Sequence, residues 1–150
     1  MFWQLNVTEI GGKMTSIFSG DETILVADDE EKIRLSIRGV LKHHGYKVLL
    51  ASDGAEAVKI YKKNSGKIKL VILDLLMPQL SGKEAMEKLK EINPEVKVIL
   101  SSGYLRTEMG VEILADQSVK YVEKPFHLQE LMYAVRAGLD AVKIKKTKPK

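Results

Sequence analysis

The chain predicts a doubly wound α/β domain built on a parallel sheet. Three observations carry that expectation. Short, near-continuous Val/Ile/Leu runs recur between residues 23 and 122, as in strands buried on both faces. Segments with apolar residues at helical spacing alternate with them, which is the rhythm of β-α units. Four of the runs end in polar groups of a particular kind: Asp28-Asp29, then Asp74, then Ser101-Ser102, then Lys124. In an open parallel sheet, ligands bind beyond the carboxyl ends of the strands.

Each element follows in order. Strands are expected at about 23–27, 46–51, 68–73, 96–101 and 120–122. The first helical pattern places Ile33, Ile37, Val40 and Leu41 on one stripe, and Gly45 follows as its C-terminal cap. The second begins after Asp53, a good N-cap, and carries Ala57, Val58 and Tyr61. Met86, Leu89 and Ile92 mark the third, which Pro94 stops. A fourth is expected near 106–115, and a fifth carries Leu128, Leu131, Met132, Val135 and Leu139. Right-handed crossovers then bring five strands into one sheet.

The bulk numbers narrow the function classes. With 150 residues the chain is expected to form one main domain, at 45% hydrophobic and 29% charged residues. It holds no cysteine, which excludes disulfides and thiolate metal sites and fits a reducing cytoplasm. No run approaches the ~20 apolar residues of a membrane span, and the first residues lack the pattern of a signal peptide. Five of the 24 basic residues are lysines in the last eight positions; without them 19 basic residues face 20 acidic ones. The positive charge is therefore a tail, read as a solvated end. Residues 1–20 stand outside the alternation. Trp3, Leu5 and Val7 alternate with polar residues before Gly11-Gly12, which suits a hairpin, the end of an upstream domain, or a disordered leader. The expected organisation is an extension at 1–20, a domain at 21–141 and a basic tail at 142–150.

The polar strand ends specify a chemistry. Acidic residues at a helix N-terminus suit the macrodipole, which accounts for Glu30 and Glu31. Asp74 has no such explanation, since Leu75, Leu76 and Met77 follow it. A carboxylate there is costly unless paired, hydrogen-bonded or metal-bound. Three converging carboxylates repel, and a divalent cation relieves the repulsion; hard oxygen donors favour Mg²⁺. Lys124 supplies a cation able to pair with Asp74 or with a phosphoryl oxygen. Alternation sends Ser101 and Ser102 to opposite faces, so one hydroxyl is expected to serve. His43 and His44 suit a helix C-terminus, and Gly11-Gly12 is no phosphate loop.

In this order and spacing, Asp28-Asp29, Asp74 within D-L-L-M-P-Q-L-S-G, Ser102-Gly103 and Lys124-Pro125-Phe126 resemble the receiver domain of bacterial two-component response regulators. The resemblance covers residues of about 22–140. It implies a flavodoxin-like sheet of order 2-1-3-4-5. It further implies that Asp74 accepts a phosphoryl group from a phosphohistidine, and that Asp28 and Asp29 hold Mg²⁺. Asp29, Asp74 and the backbone carbonyl of Leu76 would be direct ligands. Lys124 would contact the phosphoryl group, and its bond to Pro125 would be cis. Ser102 stands at the position of the family's Thr or Ser, and Tyr121 at that of its switching aromatic. Leu76 and Tyr104 flank the path of a hydrolytic water. ILSSGY and INPEVKV are similar to receivers of hybrid sensor histidine kinases. The implied partners are a sensor histidine kinase or phosphotransfer protein and a downstream protein, with a second copy of the chain compatible. Neither direct DNA binding nor enzymatic turnover is expected beyond self-catalysed phosphoryl transfer and slow autodephosphorylation. An aspartate-nucleophile phosphatase would need a second acid two residues after Asp74, where Leu76 stands.

Overall fold

A computed structural model describes residues 17–103 and 119–141. Within them run β1 (Thr23–Ala27), α1 (Glu31–His43), β2 (Lys47–Ala51), α2 (Gly54–Asn64), β3 (Ile68–Asp74), α3 (Gly82–Ile92), β4 (Val98–Ser102), β5 (Val119–Glu123) and α4 (Leu128–Asp140). All four strand pairings are parallel and the order is β2-β1-β3-β4-β5, as the resemblance implies. The helical pattern at 106–115, Tyr104, residues 1–16 and the basic tail lie outside the described residues.

Alternation along the strands sorts the core into two layers. Leu25, Ala27, Leu73 and Leu100 pack with α2 and α3 through Ala57, Tyr61, Met86 and Leu89. Ile24, Val26, Ile72, Ile99 and Val122 pack on the other face against α1 and α4 through Ile37, Leu41, Leu131 and Val135. This double burial explains why the strands read as continuous apolar runs.

Helix ends follow local chemistry. Asp53 accepts from the Glu56 amide, as an N-cap should. Ser81 and Glu84 form a reciprocal capping box at the start of α3. Gly45, with φ of +100°, donates to Lys42 O while Tyr46 N donates to Leu41 O, the paired bonds that close a helix through a left-handed residue. Those bonds explain why β2 starts at Lys47 and not at Tyr46: the Tyr46 amide belongs to the helix end. Val96 likewise donates to Asn93 O in a turn, so β4 starts at Val98.

Sequence patterning gives no sign of one network. The Arg136 guanidinium donates to Glu22, Asp140, the Tyr46 hydroxyl and Ser19 O. Tyr46 in turn donates to Phe18 O, and Gly20 N to His44 O. Residues 18–20 are thereby tied to α1 and α4. We expect Arg136→Ala to lose about 2 kcal/mol of unfolding free energy, the scale of hydrogen bonds to charged partners. Arg136→Lys should recover little, because an ammonium cannot copy the guanidinium fork. Urea unfolding measures both; a loss below ~0.5 kcal/mol for the alanine variant would show that the network contributes little.

Candidate functional site

The site lies at the carboxyl ends of β1, β3, β4 and β5. Asp28 follows β1 directly and is 1% exposed. Its Oδ1 accepts from Glu30 N at 2.9 Å and its Oδ2 from Lys124 Nζ at 2.9 Å. Arg34 on α1 donates to the Asp28 carbonyl at 2.7 Å. Asp28 is therefore held from three sides. Asp29, one residue on, is exposed. Asp74 ends β3 at 5% exposure. It accepts from Leu76 N at 3.3 Å and lies 3.5 Å from Lys124 Nζ. The ammonium thus sits closer to Asp28 than to Asp74.

Ligand oxygens of Asp28, Asp29 and Asp74 all fall within 4.8 Å of one another. Every donor in this set is a carboxylate oxygen, with no nitrogen or sulfur, which is the chemistry of a hard divalent cation. The charges reshape each other. Burial pushes the Asp74 carboxyl up to about 7; Lys124 opposes that rise and the Asp28 charge adds to it. Burial alone would depress the Lys124 ammonium, but its hydrogen bond to Asp28 and the charge of Asp74 hold it above the ordinary lysine value.

Two glycines let the backbone close around Asp74. A Cβ on Gly82 would stand 2.4 Å from the Asp74 carbonyl oxygen, and one on Gly54 2.0 Å from that of Leu80. Gly82 N in turn donates to Leu75 O at 2.8 Å. Only a residue without a side chain allows either approach. Between them Gln79 adopts φ of +71°, and Leu80 N reaches Pro78 O at 2.8 Å across it, a tight and strained turn. The S-G of D-L-L-M-P-Q-L-S-G thus serves a cap and a close contact, a role that motif reading alone does not state.

Both serines at the end of β4 are buried. Ser101 pairs in register with Asp74, and Lys124 N donates to Ser102 O. Alternation places Ser102 and Tyr121 on the α2–α3 side, where Tyr121 packs partly buried against the core. Leu76 is 43% exposed, beside Asp74. The Lys124–Pro125 peptide is cis, as the resemblance implies.

Comparison with known proteins agrees with the fold. A family model described as response regulator receiver domain matches residues 24–136. The chain is 31% identical over 122 residues to the sensor kinase CckA of Brucella abortus, covering 81% of this chain and 13% of that protein. It is 29% identical to the chemotaxis protein CheY of Bacillus subtilis, covering 78% of this chain and 97% of that one. The chain spans about half of response regulators named MprA from mycobacteria. Among solved structures, a response regulator receiver domain protein from Clostridium thermocellum superposes with a TM-score of 0.74 at 32% identity, covering 79% of this chain and 94% of that one. The receiver domain of the hybrid histidine kinase CckA gives 0.67 at 32% identity, covering 79% and 99%.

Proposed function

Because this chain belongs to the response regulator receiver domain family of two-component systems, we propose that it is a switch that accepts a phosphoryl group on Asp74 with the help of Mg²⁺. The observation that carries the reading is a buried carboxylate within 4.8 Å of two others and 3.5 Å from an ammonium. Asp28 and Asp29 together with Asp74 and the Leu76 carbonyl are the groups to hold the ion. When bound, Mg²⁺ would neutralise carboxylate repulsion and charge on the transferring oxygens. An Asp74 oxygen attacks phosphorus in line; the P–N bond of a phosphohistidine breaks and its electron pair returns to the imidazole. Lys124 pairs with the phosphoryl oxygens, Ser102 donates to one of them, and Tyr121 moves into the space Ser102 leaves.

The unit that does this is read as residues 21–141. The donor is a histidine kinase or a phosphotransfer protein, and output passes through protein contacts in the cytoplasm. A groove of about 570 Å³ runs beside Lys124, lined by Ile33, Ile37, Phe126 and Leu128 with Glu30, Lys32 and Ser36 among them, and supports docking of a partner surface of mixed apolar and polar character. The test is transfer from a purified kinase domain carrying labelled phosphohistidine. The label should move to this chain in Mg²⁺ and stay on the kinase in EDTA; movement that ignores the metal would sink the mechanism.

Persistence of the phosphoryl group is read from Leu76 and Tyr104, which stand at the two positions that flank the water path in the family. Leu76 offers no hydrogen bond to orient a water, and Tyr104 is bulky. Slow autodephosphorylation is expected. A Leu76→Asn, Tyr104→Glu double variant should shorten the phosphoprotein lifetime by roughly tenfold, the equivalent of ~1.4 kcal/mol of barrier. Equal or slower decay in excess Mg²⁺ would show that these side chains do not gate the water.

A further inference from the structure

Asp28 and Asp29 adjoin in sequence but sit in opposite settings. The Asp28 carboxylate is buried and accepts from Glu30 N and Lys124 Nζ, and its amide donates to Ala51 O. The Asp29 carboxylate is exposed, and no amide or cation among the described residues donates to it. A ligand oxygen of Asp29 still comes within 4.8 Å of those of Asp28 and Asp74. Its place is therefore set through the backbone, by the peptide plane that joins Asp28 to Asp29. Among the described residues one side chain holds that plane: the Arg34 guanidinium donates to the Asp28 carbonyl at 2.7 Å. Arg34 is itself fixed in the first turn of α1, where its amide donates to Glu30 O at 3.0 Å. Rotation of the plane would carry the Asp29 side chain away from Asp74, and the bond to Arg34 opposes it.

Charge alone argues against an arginine here, because a cation beside an ion-binding cluster repels the ion. A group that holds a metal's ligands in place, in contrast, strengthens binding without touching the metal. Resting on Asp28, Asp29 and Asp74 as the groups that hold Mg²⁺, we propose that Arg34 is a positioning residue of the ion site: it fixes the Asp28–Asp29 peptide so that Asp29 faces Asp74 before the ion arrives. Without the ion, repulsion among the carboxylates drives Asp29 outward, and Arg34 works against that. A site held in this way favours Mg²⁺ over Ca²⁺, since Mg²⁺ demands near-ideal octahedral geometry and Ca²⁺ accepts looser arrangements.

Amide NMR titration with Mg²⁺ and with Ca²⁺ at pH 8 reads weak affinities and reports the fold of each protein in the same spectra. The set is wild type, Arg34→Ala, Arg34→Lys, Asp29→Ala and the double variant Arg34→Ala, Asp29→Ala. Arg34→Ala should bind Mg²⁺ about tenfold more weakly, and Ca²⁺ only about twofold more weakly. Arg34→Lys should fall between wild type and Arg34→Ala, since an ammonium offers the carbonyl a donor without the rigid fork. In the Asp29→Ala background the Arg34→Ala change should cost less than about twofold, because the residue it positions is gone. A general loosening of the site would instead weaken both ions alike and persist in that background. Unchanged or tighter Mg²⁺ binding by Arg34→Ala overturns the proposal, tighter binding being what charge alone predicts. So does an equal loss with and without Asp29. If wild type binds no Mg²⁺, the reading of the three carboxylates as an ion site fails first and this inference falls with it.

Discussion

Asp74→Asn should take up no phosphoryl group from acetyl phosphate and Mg²⁺, while the wild-type chain gains one group by intact mass. An amide is not a competent nucleophile, and no other described carboxylate occupies the same place. Asp28 is spent on Glu30 N and Lys124, and Asp29 is exposed beside the site. The variant should not lose its fold. Asp74 is a buried carboxyl held well above the usual carboxylate range, so its ionisation works against the folded state. A neutral amide of the same shape removes that burden. In EDTA at pH 8 the variant should therefore melt above the wild type. Equal labelling of both proteins would show that the acceptor lies elsewhere. A variant that melts well below wild type would show that the Asp74 charge is better satisfied than its contacts indicate.

Mg²⁺ affinity should fall steeply as pH drops below about 7. Burial is the first cause of the high Asp74 value, with Lys124 opposing and Asp28 reinforcing. Below pH 7 the carboxyl is protonated, and a proton competes with the cation for the same oxygen. Each pH unit should then weaken apparent binding up to tenfold, so that affinity at pH 5 is roughly 100-fold below its plateau above pH 8. The linkage to stability has the matching sign. A folded carboxyl value above the unfolded 3.8 contributes stability that is complete below pH 3.8 and lost as pH rises through about 7. Saturating Mg²⁺ should restore it at neutral pH. Calorimetric titration across pH 5–8 measures the affinity; a flat profile would mean that Asp74 is ionised throughout and does not share its proton with the ion.

The function depends on how far local rules could reach. The apolar runs at 23–27 and 68–73 were legible because strands covered on both faces are almost wholly Val, Ile and Leu up to their ends, with Thr23 and Lys69 near their starts. The end is then conspicuous: Asp28 and Asp74 stand out because they close such runs. Asp53, Gly45 and Pro94 marked helix boundaries because capping and the missing proline amide act within one turn. The acidic pair, Asp74, Ser102 and Lys124 were each weak as motifs and specific as an ordered set. Family resemblance supplied the cis bond and the strand order, which no pattern of apolar residues states.

Other features arise only when distant segments meet. The preference of Lys124 for Asp28 over Asp74 depends on the relative placement of β1, β3 and β5, because Coulomb attraction and hydrogen bonding change over tenths of an ångström. Nothing near Arg136 in sequence foretells Glu22 and Ser19, more than 110 positions away. The need for glycine at 54 and 82 comes from carbonyls of other turns. Ser101 shows the division most plainly. Alternation along β4 sets it opposite Ser102, and that much one strand determines. That it pairs with Asp74 follows from the register of β3 and β4. The chain by itself determined the residue types and the ends of the strands that bear them. Which of those groups share a face, and at what distance, was decided by the sheet, since parallel pairing fixes neighbours across strands that sequence keeps apart.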